Sequence, residues 1–310
     1  MALRGVLRLG EVRIRVLDME AACRHYGDHM GLLKVMTDAD GMTYFKAWDE
    51  HDHHCVVLRK ADSAGLDYFA FKVYDDKTLT ALEGKIKEFG LPVERIAAGV
   101  YAKSGRRLQF VLPSGHTMQL YAEKEQIGNT LGTINPGVMP DEGVIRGFRI
   151  NRIDHLLLGG VNIDENARLF REVFEFDLTE RLIDADSKAS LALFVSCSTK
   201  PHDVAFVLQP NPNKFHHVSF LLESVSDLVH AADMIGKHRI PVEVNTNRHG
   251  ITRGATIYFF DPSGNRNEVF TGGYVHYPDT PTLTWDTSAL GAAAFSQDNT
   301  PRESFFTVLT

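Results

Sequence analysis

The chain has 310 residues, of which 44% are apolar, and a formal net charge of −7. That length holds two core-containing domains, and the apolar content is that of a globular protein rather than a disordered one. The acidic balance argues against nucleic acid or an anionic membrane as a partner. No apolar run reaches the length of a membrane span, and the first residues, MALRGVLRLG, lack the apolar core and cleavage site of a signal peptide.

Three cysteines, Cys23, Cys55 and Cys197, form no CxxC pair and cannot all pair with one another, so a reduced, cytoplasmic setting is expected. Four similar units run along the chain, each reading as a strand, a helix and two or three further strands. The first opens on the alternating strand Glu11–Val16, with Asp18 as helix N-cap and Gly31 closing the helix, and with strands near Thr43–Trp48 and Cys55–Arg59. The second starts at Tyr68–Val73 and continues through a helix over Lys77–Phe89 to strands ending on Leu108–Leu112 and Met118–Ala122. Residues 124–149 shift to Gly, Pro, Asn and Asp and read as a linker. The third unit starts at Arg152–Leu158 with a helix over Glu165–Phe174. The fourth starts at Phe215–Phe220 with a helix over Ser226–Lys237. Residues 273–310 are an irregular, aromatic-rich tail, expected to pack on the C-terminal half or on a neighbouring subunit. The domain boundaries expected are therefore 1–123, 124–149, 150–272 and 273–310.

The halves repeat each other. Pro113-Ser114-Gly115 returns as Pro262-Ser263-Gly264, and Gly105–Phe110 returns as Gly254–Phe259. In this register Tyr68 stands opposite His217, Gln109 opposite Tyr258, Gln119 opposite Glu268, and Glu11 near the place of His155. Only the C-terminal half carries a full His, His, Glu set, which makes it the active half and the other a structural one.

The most informative stretch is residues 247–272, NRHGITRGATIYFFDPSGNRNEVFTG. Asp261-Pro262-Ser263-Gly264 is a tight turn between two strands, because proline presets φ and glycine takes the positive value. Glu268 then sits on an otherwise apolar strand face, where an ionised carboxylate needs a strong partner such as a metal. Asn247-x-His249, Ile257-Tyr258, Asp261-Pro262-x-Gly264 and the following acid together resemble the signature of extradiol ring-cleavage dioxygenases, and the resemblance runs from about Leu9 to Thr310.

What this resemblance implies is specific. The fold class is α+β: four βαβββ modules paired into two open barrels, as in the vicinal-oxygen-chelate superfamily. His155, His217 and Glu268 are the expected metal ligands, a facial triad that leaves three adjacent positions open. On the residues alone His216 competes with His217. The alignment of Asp154-His155-Leu156 with His216-His217-Val218 selects His217, and family register agrees. The cofactor is Fe(II), with Mn(II) suited by the same ligands. One carboxylate leaves residual positive charge to favour a bound catecholate. His202 resembles the acid–base histidine, for which a pKa near neutrality would suit proton delivery. His249 and Tyr258 resemble the pair that orients the substrate. The expected reaction is extradiol cleavage of catechol or small alkylcatechols with O2 to 2-hydroxymuconate semialdehyde, in a homotetramer. The rival readings are cleavage of a larger bicyclic catechol, a glyoxalase-like isomerase (which would need a fourth ligand), and a metal-free binder of small aromatics. His51-Asp52-His53-His54-Cys55 also looks like a ligand cluster, but its register makes it a solvated turn ahead of a strand.

Overall fold

The structure, a computed structural model, describes residues 5–140 and 143–310, so positions 141 and 142 of the expected linker lie outside the described residues. The N-terminal half forms eight strands: β1 (Val6–Val16), β2 (Leu33–Thr37), β3 (Thr43–Lys46), β4 (Val56–Lys60), β5 (Gly65–Val73), β6 (Glu94–Ile96), β7 (Arg107–Val111) and β8 (Thr117–Tyr121). Their order in the sheet is β2-β3-β4-β1-β5-β8-β7-β6. The C-terminal half adds β9 (Arg152–Gly160), β10 (Asp177–Ile183), β11 (Ser190–Ser196), β12 (Val204–Leu208), β13 (Lys214–Leu221), β14 (Val242–Arg248), β15 (Gly254–Phe260), β16 (Arg266–Gly272) and β17 (Leu283–Asp286). These run in the order β14-β15-β16-β13-β9-β12-β11-β10-β17. Apart from β17, which the tail contributes, the two orders are the same topology read in opposite directions.

The helices are α1 (Met19–Cys23), α2 (Asp76–Glu88), α3 (Ile163–Glu172), α4 (Val225–His238), α5 (Leu290–Ala294) and α6 (Glu303–Thr307). Local chemistry explains where they begin. Asp75 accepts the Thr78 amide at 2.7 Å ahead of α2, and Ser224 caps α4 in the same way. Each then buries a stripe at helical spacing: Leu79, Leu82 and Ile86 on α2, Leu228, Ala231 and Ile235 on α4. The first helix departs from expectation. It does not run regularly from Asp18 to Gly31 but widens into a π-helical turn over Arg24–His29, with the Met30 amide reaching back to the His25 carbonyl. The extra residue turns His25 and Tyr26 inward toward the other half.

That half meets them with its signature turn. The Tyr26 hydroxyl donates to Asp261 Oδ2 at 3.1 Å, Asn265 Nδ2 donates to the Arg15 carbonyl at 3.0 Å, and the Leu17 amide donates to Ser263 Oγ at 2.9 Å. The repeat-related turn returns the contact: the Asn213 amide donates to the Ser114 carbonyl at 2.9 Å, and Asn166 Nδ2 donates to Ser114 Oγ at 2.7 Å. Gly160 makes the close approach possible, since a Cβ there would lie 2.7 Å from the Ser114 carbonyl oxygen. Each half thus plugs its Pro-Ser-Gly turn into the other. The two sheets also share one continuous apolar core, in which Phe71 and Phe110 pack edge-on or tilted against Phe176 and Phe174 at 5.4 and 5.9 Å between ring centres.

Candidate active site

The site is a row read straight across four strands. The β15–β16 register sets Tyr258 opposite Glu268, β16–β13 sets Glu268 opposite Ser219, and β13–β9 sets Ser219 opposite His155. Cross-strand neighbours share a face, so Tyr258, Glu268 and His155 all point into the barrel, and the small Ser219 leaves room between them. His217, two residues before Ser219, joins them.

Two β-bulges refine this row. On β9 the extra residue is Asp154, and on β13 it is His216. Simple alternation would send these side chains away from the ligands beside them. The bulges bring them alongside instead. Asp154 Oδ2 accepts from His155 Nδ1 at 2.9 Å, and His216 Nδ1 lies 2.7 Å from His217 Nδ1. From sequence Asp154 has no role and His216 figures only as a rival ligand to His217, because strand periodicity carries no sign of a bulge.

His155, His217 and Glu268 offer ligand atoms that lie within 4.8 Å of one another, all buried. His155 Nε2 is 2.9 Å and His217 Nε2 is 3.3 Å from Glu268 Oε2. Bonds of about 2.1 Å at right angles give edges of about 3 Å, so each histidine–carboxylate separation fits a pair of adjacent ligands on one ion. His217 Nε2 is buried without a hydrogen bond. An imidazole lone pair facing a carboxylate lone pair is repulsive unless a cation lies between them. The residues therefore fit a divalent metal. Without one, a proton takes its place: burial pulls the His155 pKa down, but the hydrogen bonds to Asp154 and Glu268 outweigh it and raise it to about 9. Burial pushes Glu268 up, and His155 then draws it well below the usual carboxylate range. Burial leaves His217 at about 4. Thr256 Oγ1 donates to the other oxygen of Glu268.

The remaining expected residues come to the same cavity. It measures about 270 Å³ and has mostly apolar walls, among them Leu182, Leu191, Phe194, Ile251 and Phe270. His202 stands over His155 at 4.1 Å between ring centres and is buried, not a solvated turn residue. Burial, then the neighbouring His155, lowers its pKa well below 6.5, which departs from the near-neutral value expected. The Tyr258 hydroxyl lies 2.8 Å from His249 Nε2, and His249 Nδ1 donates to the Ala294 carbonyl. Because a carbonyl only accepts, the tyrosine is the donor to Nε2. The tail closes this side: β17 pairs with β10, and Phe295 and Phe305 of the tail pack on Tyr258 and one another.

The cluster 51–55 requires a correction. It is not a solvated turn: Asp52, His53, His54 and Cys55 are all buried. The register explains why. β4 pairs with β1 as β12 pairs with β9, so His54 holds the N-terminal place of His202. It belongs to a core of charges at the repeat's counterpart of the His155, His217 and Glu268 group. Glu11 accepts from Arg107 Nη2 at 2.7 Å, Lys124 Nζ at 2.6 Å and the Tyr68 hydroxyl, with His54 Nε2 at 3.2 Å. The equivalent row across β7, β8, β5 and β1 reads Gln109, Gln119, Ala70 and Glu11. Arg107, at the position of Thr256, sends its guanidinium to the spot where the other half gathers its ligands. Here the cation at that spot is a covalently attached side chain.

Comparison with known proteins agrees with this geometry. Residues 66–125 match the model of the catechol 2,3-dioxygenase-like N-terminal domain, and residues 152–269 match that of the glyoxalase/bleomycin resistance protein/dioxygenase superfamily. The chain is 46% identical over 308 residues to a metapyrocatechase of Pseudomonas sp. strain CF600, covering 99% of each. It is 27% identical over 290 residues to a manganese-dependent 2,3-dihydroxybiphenyl 1,2-dioxygenase of Geobacillus genomosp. 3, covering 90% of each. Among solved structures it resembles the 2,3-dioxygenase LapB from Pseudomonas sp. KL28, with a TM-score of 0.90, 44% identity, and coverage of 93% of this chain and 99% of that one. With the four-module fold and the buried His, His, Glu group already described, these likenesses establish that the chain belongs to the extradiol ring-cleavage dioxygenases of the glyoxalase/bleomycin resistance protein/dioxygenase superfamily.

Proposed function

We propose that this protein cleaves catechol and small alkylcatechols with O2 to 2-hydroxymuconate semialdehyde at a mononuclear Fe(II) held by His155, His217 and Glu268. The observation that carries the proposal is the bare, buried Nε2 of His217 facing Glu268 beside His155. Two imidazoles and one carboxylate on a single face favour a redox-active ion with three adjacent free positions. When bound, such an ion supplies a Lewis acid that lowers the catechol pKa and a route for electrons from ring to dioxygen.

The chain's own residues do the rest. The apolar walls receive the ring in a cavity of about 270 Å³. Tyr258 and His249 form the polar corner that orients the diol. His202, held neutral by burial, takes a proton from catechol on a free ring nitrogen and returns it to the oxygen end of the opening ring. A neutral imidazole accepts before it gives, and a lowered pKa favours the return of the proton. On this reading, residues 150–272 carry the chemistry and residues 1–123 brace it.

Mn(II) stays in the test because the Geobacillus relative is named for it. A homotetramer is proposed with it. Exposed Ile134, Val138 and Met139 in the connecting segment support contact between copies, and light scattering after gel filtration measures the assembly. The deciding experiment loads the metal-free protein with Fe(II) or Mn(II) and adds catechol in air. A yellow semialdehyde with one O2 consumed per ring is expected. Quinone, muconate or unchanged catechol would refute the proposal.

A further inference from the structure

His217 is useful to a metal only as the tautomer that leaves Nε2 bare, and a neutral imidazole in isolation does not hold that form. We propose that His216 is a positioning residue that locks His217 in its metal-binding tautomer, with the Phe305 carbonyl of the C-terminal tail as its anchor. The inference rests on the reading of His217 as a metal ligand.

The proton positions follow from partners that have no choice. His216 Nε2 lies 2.6 Å from the Phe305 carbonyl oxygen, which only accepts, so Nε2 carries the hydrogen. Arg266 Nη1 lies 3.2 Å from His216 Nδ1, and a guanidinium only donates, so Nδ1 is bare. These two contacts assign the same tautomer independently. Arg266 is itself pinned by Glu243 through bonds of 2.6 and 3.0 Å, and it also donates to the His216 carbonyl at 3.3 Å. With a bare Nδ1 on His216, the His217 Nδ1 at 2.7 Å must be the donor. His217 Nε2 is then left with its lone pair, 3.3 Å from Glu268 Oε2.

Remove His216 and the buried Nδ1–H of His217 loses its acceptor. The other tautomer becomes favourable, because Nε2–H would donate to Glu268 and cap both ligand atoms with one proton. A metal must then displace that hydrogen bond. The choice of acceptor also has a reason. His155 is held by a carboxylate, Asp154, whereas His217 is held by a neutral ring, so the second support adds no negative charge to the site.

Three variants divide the argument. His216→Asn keeps an acceptor where Nδ1 stands and loses the donor to Phe305. His216→Gln keeps a donor toward Phe305 and loses the acceptor. His216→Phe keeps only the ring. Metal-free protein is titrated with Mn(II) against a competing chelator, with thermal melts to verify folding. His216→Gln and His216→Phe should bind Mn(II) roughly 10–100-fold more weakly, and His216→Asn within about threefold of the parent. Should the phenylalanine variant fail to fold, the asparagine–glutamine pair still decides. Equal affinity across the series, or a glutamine variant tighter than the asparagine one, overturns the proposal. A second readout is the imidazole nitrogen spectrum of Zn(II)-loaded protein: protons on His216 Nε2 and His217 Nδ1 support the inference, and a proton on His216 Nδ1 refutes it. Glu268→Gln serves as control. If it too binds Mn(II) like the parent, the metal centre itself is wrong and the inference falls with it.

Discussion

Replacing Glu11 by glutamine tests whether the N-terminal charge core stands in for a metal. Glu11 is nearly fully buried, and the Arg107 and Lys124 side chains that meet it have no exposure. Glutamine fits the space but removes the negative charge that Arg107 and Lys124, which only donate, are gathered around. Two cations would then face each other without an anion between them. Breaking such a buried set costs roughly 3–5 kcal/mol. In a chain of this size each kcal/mol moves Tm by roughly 2 °C, so a fall of about 6–10 °C is expected. Melting curves followed by circular dichroism, with Mn(II) affinity measured alongside, make the assay. Affinity should hold, because the metal residues belong to the other sheet. A triple variant, Glu11→Met with Arg107→Met and Lys124→Met, should recover most of the loss, since apolar side chains of similar volume replace buried charges at little cost. A Tm within about 2 °C of the parent for Glu11→Gln would sink the reasoning. So would a loss of metal affinity in parallel with Tm, which would make the two halves one electrostatic unit.

Glu268→Gln should remove the only anionic ligand and abolish both metal retention and ring opening; a variant that keeps a full metal complement and turnover contradicts the ligand assignment. His202→Ala should leave the KM for catechol within a few-fold while kcat falls by about 10²–10⁴, because its proposed task is proton transfer; a large rise in KM with kcat preserved would make it a binding residue. Acid should destabilise the protein before its carboxylates titrate. Burial lowers His25 to about 3 and His116 to about 4, both below the ordinary 6.5. The unfolded chain therefore binds protons first, and stability that is complete above pH 6.5 is lost as pH falls toward 4. Each histidine contributes about 2 kcal/mol to the loss between pH 7 and 5. His116→Gln, which can still donate to the Lys214 carbonyl, should narrow the difference between urea midpoints at those pH values; an unchanged difference would show that His116 does not titrate across the transition.

Much of the site could be read in the chain, and the part that could not has a definite physical origin. His155 and His217 stood out because they fall at equivalent points of a repeat, and Glu268 because a carboxylate on an apolar strand face demands a partner. Asp154 gave no sign of a part in the site, and His216 showed only as a rival to His217 for the metal, not as its hydrogen-bond partner. Their roles depend on two bulges, each a one-residue slip between strands far apart in sequence, and period-two reasoning sends both side chains the wrong way. The misreading of His51–Cys55 has the same root: polar residues ahead of a strand look solvated until the strand is paired and the barrel wraps them.

Composition and local pattern determined that there would be four strand–helix–strand units, where their helices would start, and which three side chains had chemistry in common. Long-range pairing alone decided that those three would share one face, that two backbone carbonyls of the tail would hold His249 and His216, and that Arg107 would fill the matching spot in the other sheet. The division is physical. Propensity and capping act within a few residues, whereas the protonation and orientation of a buried imidazole are set by whatever donor or acceptor packing brings to it.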